Sequence, residues 1–180
     1  LDGPAGWLQA RTGNGVFVTS AAPSVLNATI DAGSVTDPSA LTGADYTLQF
    51  SVAGGVTTYA VLKNGLPTAV VAAPYVSGQA ITVDGMTVAV SGTPATGDQF
   101  QLAPSTPTLG VFAVLDQAVA ALKTPGRTGS QIAQGNADGL RDIDAVLGHL
   151  QAARSAAGQV LNRIDSETDR LDSQKLASDS

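Results

Sequence analysis

The sequence contains no cysteine, which excludes a disulfide, a thiolate metal site and a thiol nucleophile. Its single histidine, His149, rules out a multi-histidine zinc site and leaves a Ser-His-Asp triad with one imidazole to draw on. Charge is scarce: 13% of residues are charged, and nine Lys and Arg stand against 15 Asp and Glu, a net −6. The basic residues are scattered, so no basic face exists to neutralise phosphates, and nucleic acid is excluded as a partner. Anionic membrane surfaces are disfavoured for the same reason. No run approaches the roughly 20 apolar residues that span a bilayer, so membrane insertion is not expected. Aromatics make up only 4% of the chain, few for a sugar-stacking surface.

What is present describes a folded protein. The 43% hydrophobic content and 180 residues suffice for one sizeable core or two small ones. The chain starts at Leu1 with no cationic apolar leader, so it reads as a piece of a longer protein, with any targeting signal outside it.

The character of the sequence changes near Thr106, which divides it into a β-rich domain, 1–107, and a helical domain, 108–180. The first part is rich in Val, Thr, Gly and Pro with period-two alternation, and reads as a series of hairpins. Asp84-Gly85 is a two-residue turn that sets Val83 opposite Met86 and Ile81 opposite Val88. Gly54-Gly55 likewise pairs Phe50 with Tyr59 and Leu48 with Val61, and Asn64-Gly65 supplies another turn. Pro67, just beyond it, marks an edge strand, because proline cannot donate to a ladder. Gly13-Asn14-Gly15 separates Arg11-Thr12 from the strand VFVT. The fold class is therefore α+β: an antiparallel β-sandwich or partly closed barrel, then a short helix and a long helix of coiled-coil type.

The helical part has a period near 3.6. Thr108 or a neighbour caps a helix over about 109–123, with Phe112, Leu115, Val119 and Leu122 on one face, and Thr124-Pro125-Gly126 ends it. A long helix follows over about 130–176. In heptad register its a positions are Leu140, Leu147, Arg154, Leu161 and Thr168, and its d positions are Ile143, Leu150, Ala157, Ile164 and Leu171. Every d position is apolar, and the short helix cannot cover such a seam. Each large aliphatic left uncovered forfeits about 1.5–3 kcal/mol of burial, so the stripe predicts a partner helix or subunit. Arg154, at an a position, either snorkels to water or pairs with an acid across the seam.

Candidate sites are few. Gly92 and Gly97 have the spacing of a phosphate-binding loop, but Asp98 and Gln99 stand where it needs Lys and Ser or Thr, so the electrostatics are reversed. SGTPATGDQF therefore reads as a turn between two strands. His149 falls at heptad position c, where a solvated surface side chain is expected. Asp37, Asp45, Asp84 and Asp98 each have a turn role open to them, which leaves a paired-acid hydrolase without a distinguishing feature. Asn27-Ala28-Thr29 matches a glycosylation triplet of low specificity. The acids near the end, Asp165 to Asp172, interleave with Arg163 and Arg170 as a solvated face. No catalytic residue, cofactor site or metal site is expected.

Two segments carry a resemblance. ARSAAGQVLNRIDS is similar to the C-terminal signature of the flagellin-related axial proteins of bacteria, with Arg154, Gly158, Asn162, Arg163 and Ile164 at the matching positions; Gln159 replaces the usual Ala. SGTPATGDQFQLAPS, with Gly97, Asp98 and Phe100, resembles the β-rich middle domain of flagellar hook-associated proteins, as do RTGNGVFVT and GSVTDPSALTGADYTLQF upstream. The resemblance implies a structural, non-enzymatic subunit joining hook to filament on the extracellular flagellum. The partners it implies are further copies of itself, hook-associated protein 1, flagellin, and an N-terminal helix of the same protein missing from this chain. A flagellin or hook-associated protein 1-like axial subunit is the neighbouring reading. A secreted carbohydrate-binding or adhesin module on a helical stalk is the reading from another class.

Overall fold

The computed structural model describes residues 9–178. Trp7, the one tryptophan of the sequence, and the Asp2 carboxylate lie outside them. Among the described residues twelve strands precede two helices. They are β1 (Gln9–Arg11), β2 (Phe17–Ala21), β3 (Ala28–Ile30), β4 (Ser34–Val35), β5 (Tyr46–Ala53) and β6 (Val56–Lys63), then β7 (Leu66–Pro67), β8 (Ala73–Pro74), β9 (Ala80–Val83), β10 (Met86–Gly92), β11 (Gln99–Pro104) and β12 (Pro107–Gly110). The helices are α1 (Val111–Lys123) and α2 (Gly129–Ser178).

Two open antiparallel sheets form the sandwich. One has the order β2-β11-β5-β6-β7, with β8 also on β6; the other groups β3, β4 and β9 around β10. Neither sheet closes, which decides for the sandwich over a barrel. Alternation puts Phe17, Tyr46, Leu48, Phe50, Val61, Phe100 and Leu102 of the first sheet against Ile30, Ile81, Val83, Met86, Val88 and Val90 of the second. Phe50 is the hub: Phe100 and Tyr75 meet its ring edge-on at 5.6 and 5.1 Å.

The turn chemistry sets the hairpin registers. Val83 pairs with Met86 and Ile81 with Val88, and Phe50 pairs with Tyr59 and Leu48 with Val61. Asp84 and Asn64 take positive φ of 41° and 50°, as two-residue hairpin turns require. Gly85 cannot carry a side chain, because a Cβ there would overlap the carbonyl of Asp37. Pro67 lies in the two-residue edge strand β7.

Two connections differ from a chain of hairpins. The segment SGTPATGDQF does join two strands, but β10 and β11 lie in different sheets, so it crosses the sandwich. Its ends are glycines at positive φ, Gly92 at 107° and Gly97 at 92°. Similarly, β1 does not pair with β2 across Gly13-Asn14-Gly15; it pairs with β12 in a separate ribbon beside the helices. In both places the glycines reverse the chain, while the choice of neighbour is made by which sheet each apolar face can bury into.

That ribbon also changes the start of α1. Pairing of Gln9 with Gly110 and Ala10 with Leu109 keeps the chain extended to Gly110, so Gly110 occupies the cap position without a side-chain bond. Thr108 is a strand residue bonded to Thr106, not a cap.

Candidate functional site

The first turn of α2 is built by Thr128 and Gln131. The Thr128 hydroxyl accepts from the Gln131 amide (3.2 Å), and Gln131 Oε1 accepts from the Thr128 amide (3.1 Å), a reciprocal capping box. Arg127 donates to the carbonyls of Ala121 and Gln131, tying the end of α1 to the start of α2. The same turn grips the sandwich: Thr128 Oγ1 donates to the Leu26 carbonyl (2.5 Å) and Gln131 Nε2 to that of Pro23 (3.2 Å).

One turn further, Gln134 is buried and fully used. Its Oε1 accepts the Ile30 amide of β3 at 2.8 Å, and its Nε2 donates to both Asp138 oxygens at 3.1 Å. Arg141 pairs with Asp138 at 3.0 Å and with Asp142 at 3.3 Å. Burial pushes the Asp138 carboxyl above the usual carboxylate range, against the Gln134 hydrogen bonds and the Arg141 charge. A groove of about 370 Å³ lies in this joint, between Ser20–Val25 and the Arg127–Asp138 face. Neither the capping box nor Gln134 emerges from the reading of hydrophobic periodicity, although the Thr-x-x-Gln spacing that encodes the box is legible.

The face of α2 turned toward the rest of the chain runs through Gln134, Asp138, Arg141, Ala145 and His149, with Val146 beside it. Val146 packs with Ala10, Leu109 and Val114 in a second small core, flanked by Ile143. This face is polar for most of its length and lies at the b, c, f and g positions of the heptad. His149 is accordingly half-buried rather than a solvated surface residue. Position c points outward only when the seam is the packed face, and here the chain packs on the other side.

The apolar stripe faces away. Leu140 is 65% exposed, and Leu147, Leu150, Leu161, Ile164 and Leu171 are also exposed, as are Arg154 and Ala157. Ile143 alone of the seam residues named from the sequence is partly covered by the chain itself. Gly158 is half-buried, and Asn162 and Arg163 are exposed. The short helix repeats the pattern. Phe112, Leu115, Val119 and Leu122 do share a face, but it is the outer one, with Phe112 75% exposed. The inner face is Val111, Val114, Ala118 and Ala121, whose small side chains let α1 approach α2 at Gly139. A groove of about 270 Å³ runs between the helices, floored by Ala118, Ala121, Gly135 and Gly139 and edged by Leu122 and Leu140.

The other residues singled out from the sequence serve the β domain. Asp98 is 5% exposed, and its carboxylate accepts the Ala95 amide at 2.8 Å. The Gly97 amide donates to the Phe50 carbonyl and the Phe50 amide to that of Asp98, both at 2.9 Å, so the crossing segment is stitched to β5. Phe100 is fully buried. Asp84 is held by Lys63 at 2.7 Å and by the Tyr46 hydroxyl, which accepts from Thr42 at 2.6 Å. The Lys63 hydrogen bond, then that of Tyr46, hold the Asp84 carboxyl below its usual range. Asp84 in turn raises Lys63. These contacts tie the turn between β9 and β10 to the facing sheet.

Comparison with known proteins gives matches to part of the chain and to nearly all of it. A family model described as flagellar hook-associated protein 1, D2-like domain, matches residues 19–104. No curated protein matches significantly. Among solved structures, hook-associated protein 3 of Legionella pneumophila is 26% identical with a TM-score of 0.78, covering 90% of this chain and 53% of its own. FlgL of Xanthomonas campestris is 28% identical with a TM-score of 0.80, covering 97% of this chain and 57% of its own. The chain thus spans little more than half the length of these relatives. Residues 19–104 are similar to the D2-like domain of flagellar hook-associated protein 1, and the chain as a whole shares the fold of the flagellar junction protein FlgL, or hook-associated protein 3.

Proposed function

We propose that the chain is part of a structural, non-enzymatic subunit that joins hook to filament in the extracellular bacterial flagellum. The observation that carries this reading is the orientation of α2. Its polar face is spent on contacts within the chain, while the apolar stripe from Leu140 to Leu171 is presented outward. A helix of 50 residues is about 75 Å long, and the apolar stripe runs for about 47 Å of it, a reach that suits lengthwise packing against other helices. The cover is a helix from elsewhere in the same protein together with neighbouring axial subunits: further copies, hook-associated protein 1 and flagellin. In this reading the residues from Leu140 to Leu171 form the seam, and the division into domains falls at residue 107.

The match of residues 19–104 to a hook-associated protein 1 domain favours one second reading, a hook-associated protein 1-like axial subunit on the hook side of the junction. One experiment separates the two and tests both. The whole protein, with Leu147→Asp and Leu161→Asp in the seam, is supplied to cells lacking it. The variants are expected to fold, to be exported and to fail at the junction, with filaments lost. Normal filaments from these variants would refute the seam. Wild-type protein found only between the hook and hook-associated protein 3 would favour the second reading.

A further inference from the structure

The chain has two Asn-Gly pairs, Asn14-Gly15 and Asn64-Gly65, both in exposed turns. Asparagine followed by glycine is chemically fragile, because the bare glycine amide can reach the side-chain carbonyl. The nitrogen of the glycine attacks Cγ and loses its proton, the side-chain nitrogen leaves as ammonia, and a five-membered succinimide forms. Water then opens either carbonyl of that ring, giving aspartate or isoaspartate. Both asparagines are exposed and followed by glycine, although Gly15 is half-buried and Gly65 exposed.

Hydrogen bonding separates the two sites. Asn14 is locked at both ends of its amide: Nδ2 donates to the carbonyls of Ala32 (3.3 Å) and Gly33 (3.2 Å), and Oδ1 accepts the amides of Val16 and Phe17, both at 3.0 Å. The attacking nitrogen is occupied too, since the Gly15 amide donates to Thr12 at 3.3 Å. At the second site, Asn64 Oδ1 accepts a single hydrogen bond, from the Asp45 amide at 3.0 Å. Among the described residues no bond holds Asn64 Nδ2, the leaving group, or the Gly65 amide.

We propose that Asn64 is a site of spontaneous, structure-gated deamidation, and that Asn14 is protected from the same reaction by its hydrogen bonds. The product matters to the sheet. Isoaspartate adds a backbone atom to a two-residue turn, which shifts the pairing of Lys63 with Leu66. Aspartate instead places a carboxylate at the exposed Asp45, while keeping the hydrogen bond to its amide.

The test incubates the native chain, and the same chain in concentrated urea, in mildly alkaline buffer, with peptide mass mapping that separates aspartate from isoaspartate. In urea both sites are expected to convert at similar rates. In the native chain Asn64 is expected to convert at least about tenfold faster than Asn14, since releasing even two net hydrogen bonds at Asn14 costs about that factor. Asn64→Ser is expected to abolish the fast conversion and leave Asn14 unaffected. Equal rates at the two sites in the native chain, or an Asn64 that survives natively while converting in urea, would overturn the proposal.

Discussion

In the β domain Phe17, Tyr46, Phe50 and Phe100 are at most 1% exposed, whereas on the helices Phe112, Leu122 and Leu140 are 75%, 73% and 65% exposed. The difference does not lie in the amount of apolar sequence available. It lies in where that sequence can be buried. The inner face of each sheet of the sandwich has an opposing sheet inside the same chain, so alternation is satisfied internally. The helices have one another, the narrow β1–β12 ribbon and the β3 edge of the sandwich, and they use mostly small or polar faces for those contacts. A domain that completes its own core thus stands beside a helix that leaves its apolar stripe open.

The largest effect is expected in the core. Phe50→Ala removes the ring that Phe100, Tyr75 and Tyr59 pack on, and is expected to cost about 3–5 kcal/mol in urea unfolding of the β domain. A cost near zero would mean that the sandwich does not carry its own stability. The joint comes next. Gln134→Leu strips the partner from the buried Ile30 amide and is expected to cost about 1–3 kcal/mol, with faster hydrogen exchange at Ile30 but not at Phe50.

Two acids sharpen the contrast through pH. Asp84 is depressed in the fold, so its contribution is full above the ordinary carboxylate value and is lost as pH falls through the lower folded value. Lys63 is raised, so its share persists below the ordinary lysine value and is lost as pH rises through the higher one. Asp84→Asn should therefore destabilise the chain at neutral pH and converge with the wild type in strong acid. Asp138 has the opposite sign: its folded value is raised, and stability declines as pH climbs from the ordinary value through the folded one. Asp138→Asn should remove that decline, which thermal melts across the acid range would detect. The smallest effect is expected on the arm, where Leu161→Ser should change the stability of the chain by no more than about 0.5 kcal/mol. A large loss there would show that the stripe is already covered within this chain.

Much of this was legible in short range. Asp84-Gly85, Gly54-Gly55 and Asn64-Gly65 fixed hairpins and registers because a two-residue turn leaves one pairing, and period-two alternation then assigns faces. The heptad identified an apolar stripe from residue spacing alone. Less legible was which strands meet after a longer connection, as SGTPATGDQF illustrates. Its glycines and Asp98 specify a reversal that serves equally within one sheet or between two. The joint was hidden for another reason: Gln134 is an unremarkable helical residue until a sheet edge brings the Ile30 amide to it.

By itself the sequence determined the α+β class, the hairpin turns and the existence of an apolar helical stripe, since each follows from φ preferences and side-chain periodicity over a few residues. Only the tertiary structure decided that β10 and β11 belong to opposite sheets, that His149 faces inward and that the stripes of both helices face out. Those outcomes depend on which surfaces compete for contact across long separations. The polar face of α2 won its place because Gln134 satisfies a buried amide at a sheet edge, a role that no leucine of the stripe could fill.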